Sequence, residues 1–315
     1  MTSPKQTTPR PQPAARPIRS KVAPARRLRA LVWHVVMIAL SALFLLPLAS
    51  MVVGSLRKPG LPPPRGIEWL PNPITLSNFT SAFQVVDLGR YALNTLVVEA
   101  LAVPVTLLVA SWAGFALSQL STKFAQRVIA LSLALLLLPE TSLWVSRFIL
   151  YKSVNILDTP FALAAPSLLG TTPLYMLIFY WTFRRVPKEI WESAWLDGSG
   201  AFRVWWSLGV PAARAAFAAV GVLTFVYYWR EFNEPLLYIQ TIERYTLSVG
   251  LSYLEQLDPS NWPLLMAGSV VITLPLVIVF LIAQTFFLEP LESGRRTRQD
   301  EQSQSVVVPE GQLKS

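Results

Sequence analysis

The sequence of 315 residues holds no cysteine and one histidine, His34. Without thiols there is no disulfide framework, no thiolate metal site and no cysteine nucleophile. A lone histidine excludes the usual His-based metal clusters and Ser-His catalysis within one chain. No Gly-Lys pair occurs anywhere, so the phosphate-cradling G-x-x-x-x-G-K-[ST] loop is missing and the chain is not its own P-loop ATPase. Charge is scarce as well. Asp, Glu, Lys and Arg supply 14% of residues against 53% hydrophobic, where a soluble domain carries roughly 25% charged residues. With mean hydropathy at +0.44, the chain lacks the polar surface to stay in water and must bury much of itself in lipid.

The net charge of +9 does not point to nucleic acid, because eight of the 27 Lys and Arg lie before residue 30, in a Pro-, Ala- and Gln-rich segment. Residues 1–30 and 289–315 lack apolar periodicity and are expected to be disordered tails. Between them lie apolar runs near the length of about 20 residues that a hydrocarbon core of about 30 Å demands: 31–53, 93–117, 128–150, 161–183, 215–229 and 266–288. The third is broken by Pro139 and Glu140, and the fifth has only 15 uninterrupted apolar residues and must borrow flanking positions. An all-α membrane protein with six transmembrane helices over 31–288 is expected. Placing the N-terminus in the cytoplasm puts 19 of the 27 basic residues in the cytoplasmic segments 1–30, 118–127, 184–214 and 289–315 and 8 outside, as the positive-inside rule requires. Both termini are then cytoplasmic. A cleaved secretion signal over 31–50 is the competing reading; a 23-residue first stretch and five further spans weigh against it.

The loop between spans four and five, 184–214, is the most informative segment. Pro187 suits the first turn of a helix, and Glu189 and Glu192 complement its macrodipole. Ile190, Trp191, Ala194 and Trp195 form one apolar stripe. Gly198 is placed to cap the helix in the left-handed region, and a second helical stretch, 201–208, runs to Pro211. On periodicity alone, two amphipathic helices lying in the lipid interface with Trp191, Trp195, Trp205 and Trp206 as anchors explain the pattern equally well.

The spacing adds more. Glu192-Ser193-Ala194, then three residues, Gly198, nine residues, and Leu208-Gly209-Val210-Pro211 resemble the EAA signature of binding-protein-dependent ABC importer permeases. Ser193, Leu208 and Val210 are conservative departures, and Asp197-Gly198 is similar to the form common in the carbohydrate-type, maltose-G-like subfamily. Asn94-Thr95, the segment 155–159 and the segment 229–235 resemble further motifs of these proteins. The sequence LEPLESGRRTRQD departs from the family's C-terminal ending.

The resemblance implies a non-catalytic subunit of an inner-membrane importer in a bacterium or archaeon. Its implied partners are a second permease subunit, an ABC ATPase dimer that binds ATP and Mg, and an extracytoplasmic solute-binding protein that delivers a sugar or related solute. No cofactor is expected on this chain. The residues implied to couple to the ATPase are Glu192, Ser193, Ala194, Asp197, Gly198, Leu208 and Pro211. The apolar stripe either joins the chain's own core or faces the ATPase groove, and Glu192 contacts the ATPase, an arginine of the loop, or only water. Among intramembrane polar residues, Asn94 and Glu99 are candidates for the pathway or a helix interface; the bland alternative for Glu99 is a polar neighbour across the interface. Glu140 is expected near solvent at the helix break. An ion-gradient-driven secondary transporter is the rival, but no three-plus-three repeat is evident; an intramembrane enzyme lacks its paired aspartates, Ser/His couple or HExxH-like motif.

Overall fold

A computed structural model describes residues 24–66 and 68–305, and all regular structure among them is helical. The chain divides into two compact units, 1–49 and 50–315. In the first, the helix α1 (Pro24–Ser55, which continues into the second unit) presents an apolar surface: Leu31, Val35, Ile38 and Phe44 are all exposed. An apolar face this long is covered by hydrocarbon or by another apolar helix. His34 bonds through Nδ1 to the Ala30 carbonyl at 2.6 Å, which occupies it within its own helix.

The second unit is organised around α3. A short helix α2 (Ser77–Val85) precedes α3 (Leu88–Gln119), which begins where the Asp87 carboxylate accepts the Arg90 amide and so satisfies one orphan donor. At about 1.5 Å per residue, its 32 residues outreach any bilayer core. Its buried face carries Val98, Ala102, Thr106, Ala110 and Gly114, a row of mostly small residues that lets other helices approach. The approach is closest at Gly114, where an added Cβ would stand 2.6 Å from the Phe179 Cβ and 2.8 Å from the Met176 carbonyl oxygen. Only glycine fits that crossing.

After α3 come α4 (Thr122–Leu135), a tight turn over Glu140–Leu143 and α5 (Trp144–Ser153); then α6 (Pro160–Ala164), a second tight turn and α7 (Pro173–Arg184). The 184–214 segment forms α8 (Lys188–Leu196), α9 (Ala201–Val204), a π-turn over Trp205–Gly209 and α10 (Val210–Ala212). The remainder is α11 (Arg214–Arg230), α12 (Asn233–Tyr238), α13 (Leu247–Leu257) and α14 (Trp262–Ser305). Helix therefore enters both segments expected to be tails, while 1–23 and 306–315 lie outside the described residues.

Three stretches are long and apolar enough to cross a membrane unbroken: Arg29–Ser55, Leu88–Gln119 and Trp262–Thr285. Three bent pairs raise the number to six if each counts as one span: Thr122–Leu135 with Glu140–Ser153 at 86°, Pro160–Leu169 with Pro173–Arg184 at 41°, and Ala201–Ala212 with Arg214–Arg230 at 84°. The first and third of these pairs are the runs that the sequence marked as broken or short; the bend in the fourth run, between Leu169 and Pro173, was not expected. Pro139 removes an amide donor at the break after α4, and the chain turns there rather than continuing straight to residue 150. The weak fifth run gains only its two ends, since α11 spans 17 residues and the helix before it leaves at nearly a right angle. The apolar helices and the exposed apolar side chains make this a multi-pass membrane protein.

Candidate functional site

The 184–214 segment is built on aromatic contacts. Trp191 of α8 is buried to 5% exposure and meets Phe115 of α3 and Phe183 of α7 edge-on, with ring centroids 5.5 and 6.3 Å apart. Trp205, in the π-turn, packs against Trp112 of α3 at 5.2 Å. Val204, Ala213 and Ala216 complete the cluster, with Ala194 and Leu208 packed at its margin. Burying two tryptophans supplies large apolar area with favourable edge-to-face geometry, so the short helices α8 and α9 need little intrinsic stability.

The apolar stripe read from the sequence divides. Trp191 and Ala194 turn inward, while Ile190 and Trp195 are exposed, as are Leu196, Phe202 and Trp206. Part of the stripe therefore joins the chain's own core, and the rest of it is exposed. Gly198 has φ 73° and forms the end of α8: its amide donates to the Trp195 carbonyl at 3.0 Å and the Ser199 amide to the Ala194 carbonyl at 3.2 Å. That is a Schellman cap, which requires the left-handed backbone that glycine adopts without strain. Among the described residues nothing lies within 4 Å of the position a Cβ would take.

The remaining signature residues surround this cap. Glu192, Ser193 and Asp197 are exposed, and the Ser193 hydroxyl donates to the Ile190 carbonyl at 3.0 Å. Among the described residues Glu192 forms no ion pair, which removes the expected arginine of the loop as its partner. Leu208 is half-buried against the aromatic cluster, and Pro211 is exposed in α10.

The other candidates lie toward the opposite end of α3. Asn94 donates through Nδ2 to the Glu243 and Tyr245 carbonyls, at 2.9 and 3.0 Å, and the Thr95 hydroxyl oxygen accepts the Leu247 amide at 2.9 Å. The Asn-Thr pair thereby ties α3 to the start of α13. Glu99 is 4% exposed, and neither carboxyl oxygen has a hydrogen-bond partner among the described residues. Of the alternatives left open for Glu99, the one with a bonded polar neighbour is not seen among the described residues.

Sequence reasoning passed over two groups here. Asp158 has φ 59°, and its carboxylate accepts the Gln240 and Thr241 amides at 3.0 and 3.1 Å, the Thr241 hydroxyl at 2.6 Å and the Arg244 guanidinium at 3.0 Å. Burial raises this carboxyl, yet the hydrogen bonds and the Arg244 charge outweigh it and hold Asp158 below the usual aspartate range. In the sequence Asp158 is only one residue of the 155–159 motif; the tolerance of aspartate for left-handed backbone is the signal that points to it. The second group is Arg147, which donates to the buried Glu234 and lies 3.6 Å from Glu140, itself accepting a 2.9 Å bond from the Tyr227 hydroxyl. Burial, against the pull of Arg147, raises the Glu234 carboxyl to about 7.

No protein-family model matches the chain. It is 28% identical over 226 residues to the probable ABC transporter permease protein YurM of Bacillus subtilis, covering 71% of this chain and 75% of that protein. Over 262 residues it is 28% identical to the arabinooligosaccharides transport system permease protein AraQ of Halalkalibacterium halodurans, covering 82% and 92% respectively. Among solved structures, a bacterial ABC transporter involved in the import of the acidic polysaccharide alginate superposes with a TM-score of 0.68 at 18% identity, over 84% of this chain and 98% of that one. The structural likeness shows a shared fold. The resemblance carried by the loop signature is borne out: the chain's homologues are ABC transporter permeases, several of them named for sugars.

Proposed function

We propose that the chain is one transmembrane permease subunit of an ATP-driven ABC importer for a sugar or related solute. Its carrying observation is the 184–214 segment: Trp191 and Trp205 fix it to α3 and α7, while the Gly198 cap and the Glu192 surface stand open. In this reading six spans cross the inner membrane with both termini and this loop in the cytoplasm. A separate ATPase dimer grips α8 in a helix-in-groove contact. Because the aromatic cluster joins α8 to α3 and α7, movement of the gripped helix is passed to the membrane bundle as motion of packed elements. A shift of the bundle from 1:99 to 99:1 between facing states takes about 5.5 kcal/mol of differential binding, on the scale of a nucleotide-driven closure. A second permease subunit forms the other half of the pathway, and an extracytoplasmic binding protein delivers the solute. ATP and Mg belong to the partner, and this chain contributes no catalysis.

The sugar class is supported by relatives named for arabinooligosaccharides, lactose and melibiose/raffinose/stachyose. The binding protein is supported by a neighbour of TM-score 0.58 described as an alginate transporter in complex with an alginate pentasaccharide-bound periplasmic protein. The test is Gly198→Val in the assembled transporter. At φ 73° a β-branched residue strains the cap by roughly 1–3 kcal/mol and places methyl groups on the open surface. Solute uptake is expected to fall at least tenfold while the chain remains in the membrane at wild-type amount. Uptake equal to wild type overturns the coupling role.

A further inference from the structure

Beside α8 lies a cleft of about 410 Å³, walled on one side by α8 and the end of α7 and on the other by the turn from α3 into α4, Gln119 to Thr122. Phe183 and Trp191 line it, Trp195 stands at its edge, and Arg184, Lys188 and Glu192 also line it. None of those three charges has an ion-pair partner among the described residues. Lys188 and Glu192 are four residues apart on one helix, the spacing at which such groups ordinarily meet, yet they do not pair. The opposite wall brings the hydroxyl residues Ser121 and Thr122, both exposed.

We propose that this cleft is a second contact surface for the ATPase partner, receiving a polar segment of that subunit with an acidic group for Arg184 and Lys188 and a basic group for Glu192. The proposal rests on the permease reading above and adds a contact outside the EAA signature, on the α3–α4 turn. Two features select this occupant. A wall of the cleft is α8 itself, so the surface is continuous with the gripped helix. The lining carries both signs of charge with hydroxyls opposite: a lipid chain would leave the charges unsatisfied, and a single anion would meet Glu192 as a like charge. A segment seated there touches the end of α3 as well as α8. The partner then moves the central helix of the bundle directly and not only through Trp191.

The test uses the complete transporter, with a photoreactive amino acid placed at Ser121 or, separately, at Trp195. Cross-linking to the ATPase from both positions is expected. In a parallel arm, Ser121→Trp, which fills the cleft from an exposed position, is expected to lower uptake at least tenfold with normal membrane insertion. A cross-link to the ATPase from Trp195 alone overturns the cleft proposal and leaves the permease reading standing. Transfer of label from Ser121 to lipid, or full uptake by Ser121→Trp, also overturns it. Absence of ATPase cross-links from both positions overturns the permease reading and this proposal with it.

Discussion

The two ends of α3 are held by different physics. At its start, Asn94 and Thr95 bond to the Tyr245 carbonyl and the Leu247 amide, and around them Asp158 accepts the Thr241 amide, Ser248 donates to the Glu231 carbonyl and the Glu231 side chain accepts the Glu234 amide within its own segment, so that the chain around residues 231–247 is fixed atom by atom. At its far end, Trp112 and Phe115 face Trp205, Phe183 and Trp191, and the charged residues of the adjoining loop form no ion pairs among the described residues. Hydrogen bonds are directional and specify one arrangement; aromatic burial is strong but tolerates rotation and sliding. The stitched end suits a fixed frame; under the proposed function the aromatic end is the lever.

The largest expected effects set one substitution at each end against the other. Arg147→Ala removes the cation bonded to the buried Glu234, which then takes up a proton, and is expected to cost about 1.5–3 kcal/mol for the lost charged hydrogen bond, read as loss of global stability in detergent. Trp191→Ala removes a side chain of 5% exposure at a larger cost of about 3–5 kcal/mol. Its effect is expected to stay local: faster hydrogen exchange over 184–214 with protection near residue 247 unchanged. If Trp191→Ala loosens both ends equally, the contrast between frame and lever is wrong.

Two acids sharpen the same contrast through pH. A folded value of about 7 for Glu234 exceeds the unfolded value near 4.3, so the folded state holds the proton more tightly. Its contribution is complete below about pH 4 and declines as pH rises toward 7. Asp158 has the opposite sign: held below its unfolded value near 3.9, it contributes above that pH, and the contribution is lost as pH falls through the lower folded value. Denaturation midpoints followed between pH 3 and 8 should lose the neutral-side slope in Glu234→Gln and the acid-side slope in Asp158→Asn. The latter variant is also expected to cost about 2 kcal/mol in hydrogen bonds to a charged acceptor. The smallest effect is expected of Glu192→Ala. It is exposed and forms no ion pair among the described residues, so stability should move by less than about 1 kcal/mol, while ATPase co-purification falls. A large loss of stability would place Glu192 in the frame.

Much of this was legible from residues alone. Pro187, Gly198 and Pro211 punctuate the loop as local backbone chemistry dictates, and the Schellman cap at Gly198 depends on its own neighbours. The six apolar runs were visible because lipid imposes a minimum length. Less visible was how the broken runs travel: Pro139 announces a break, but the 86° turn follows from what α5 packs against. The stripe on α8 could not be resolved by periodicity, since Trp191 and Trp195 differ only in whether Phe115 and Phe183 lie beneath them. Asp158 and Arg147 find their partners 83 and 87 residues away, separations across which no local pattern carries information.

Composition and spacing by themselves determined the solvent, the helical class and the family resemblance, because hydrocarbon length, glycine backbone freedom and motif spacing act over a few residues at a time. The tertiary structure decided which tryptophans anchor and which remain open, which acids are paired, and that Glu99 is buried with no bonded partner among the described residues. Those outcomes depend on distant segments meeting in space, and it is there that burial sets the energy of every polar and aromatic group.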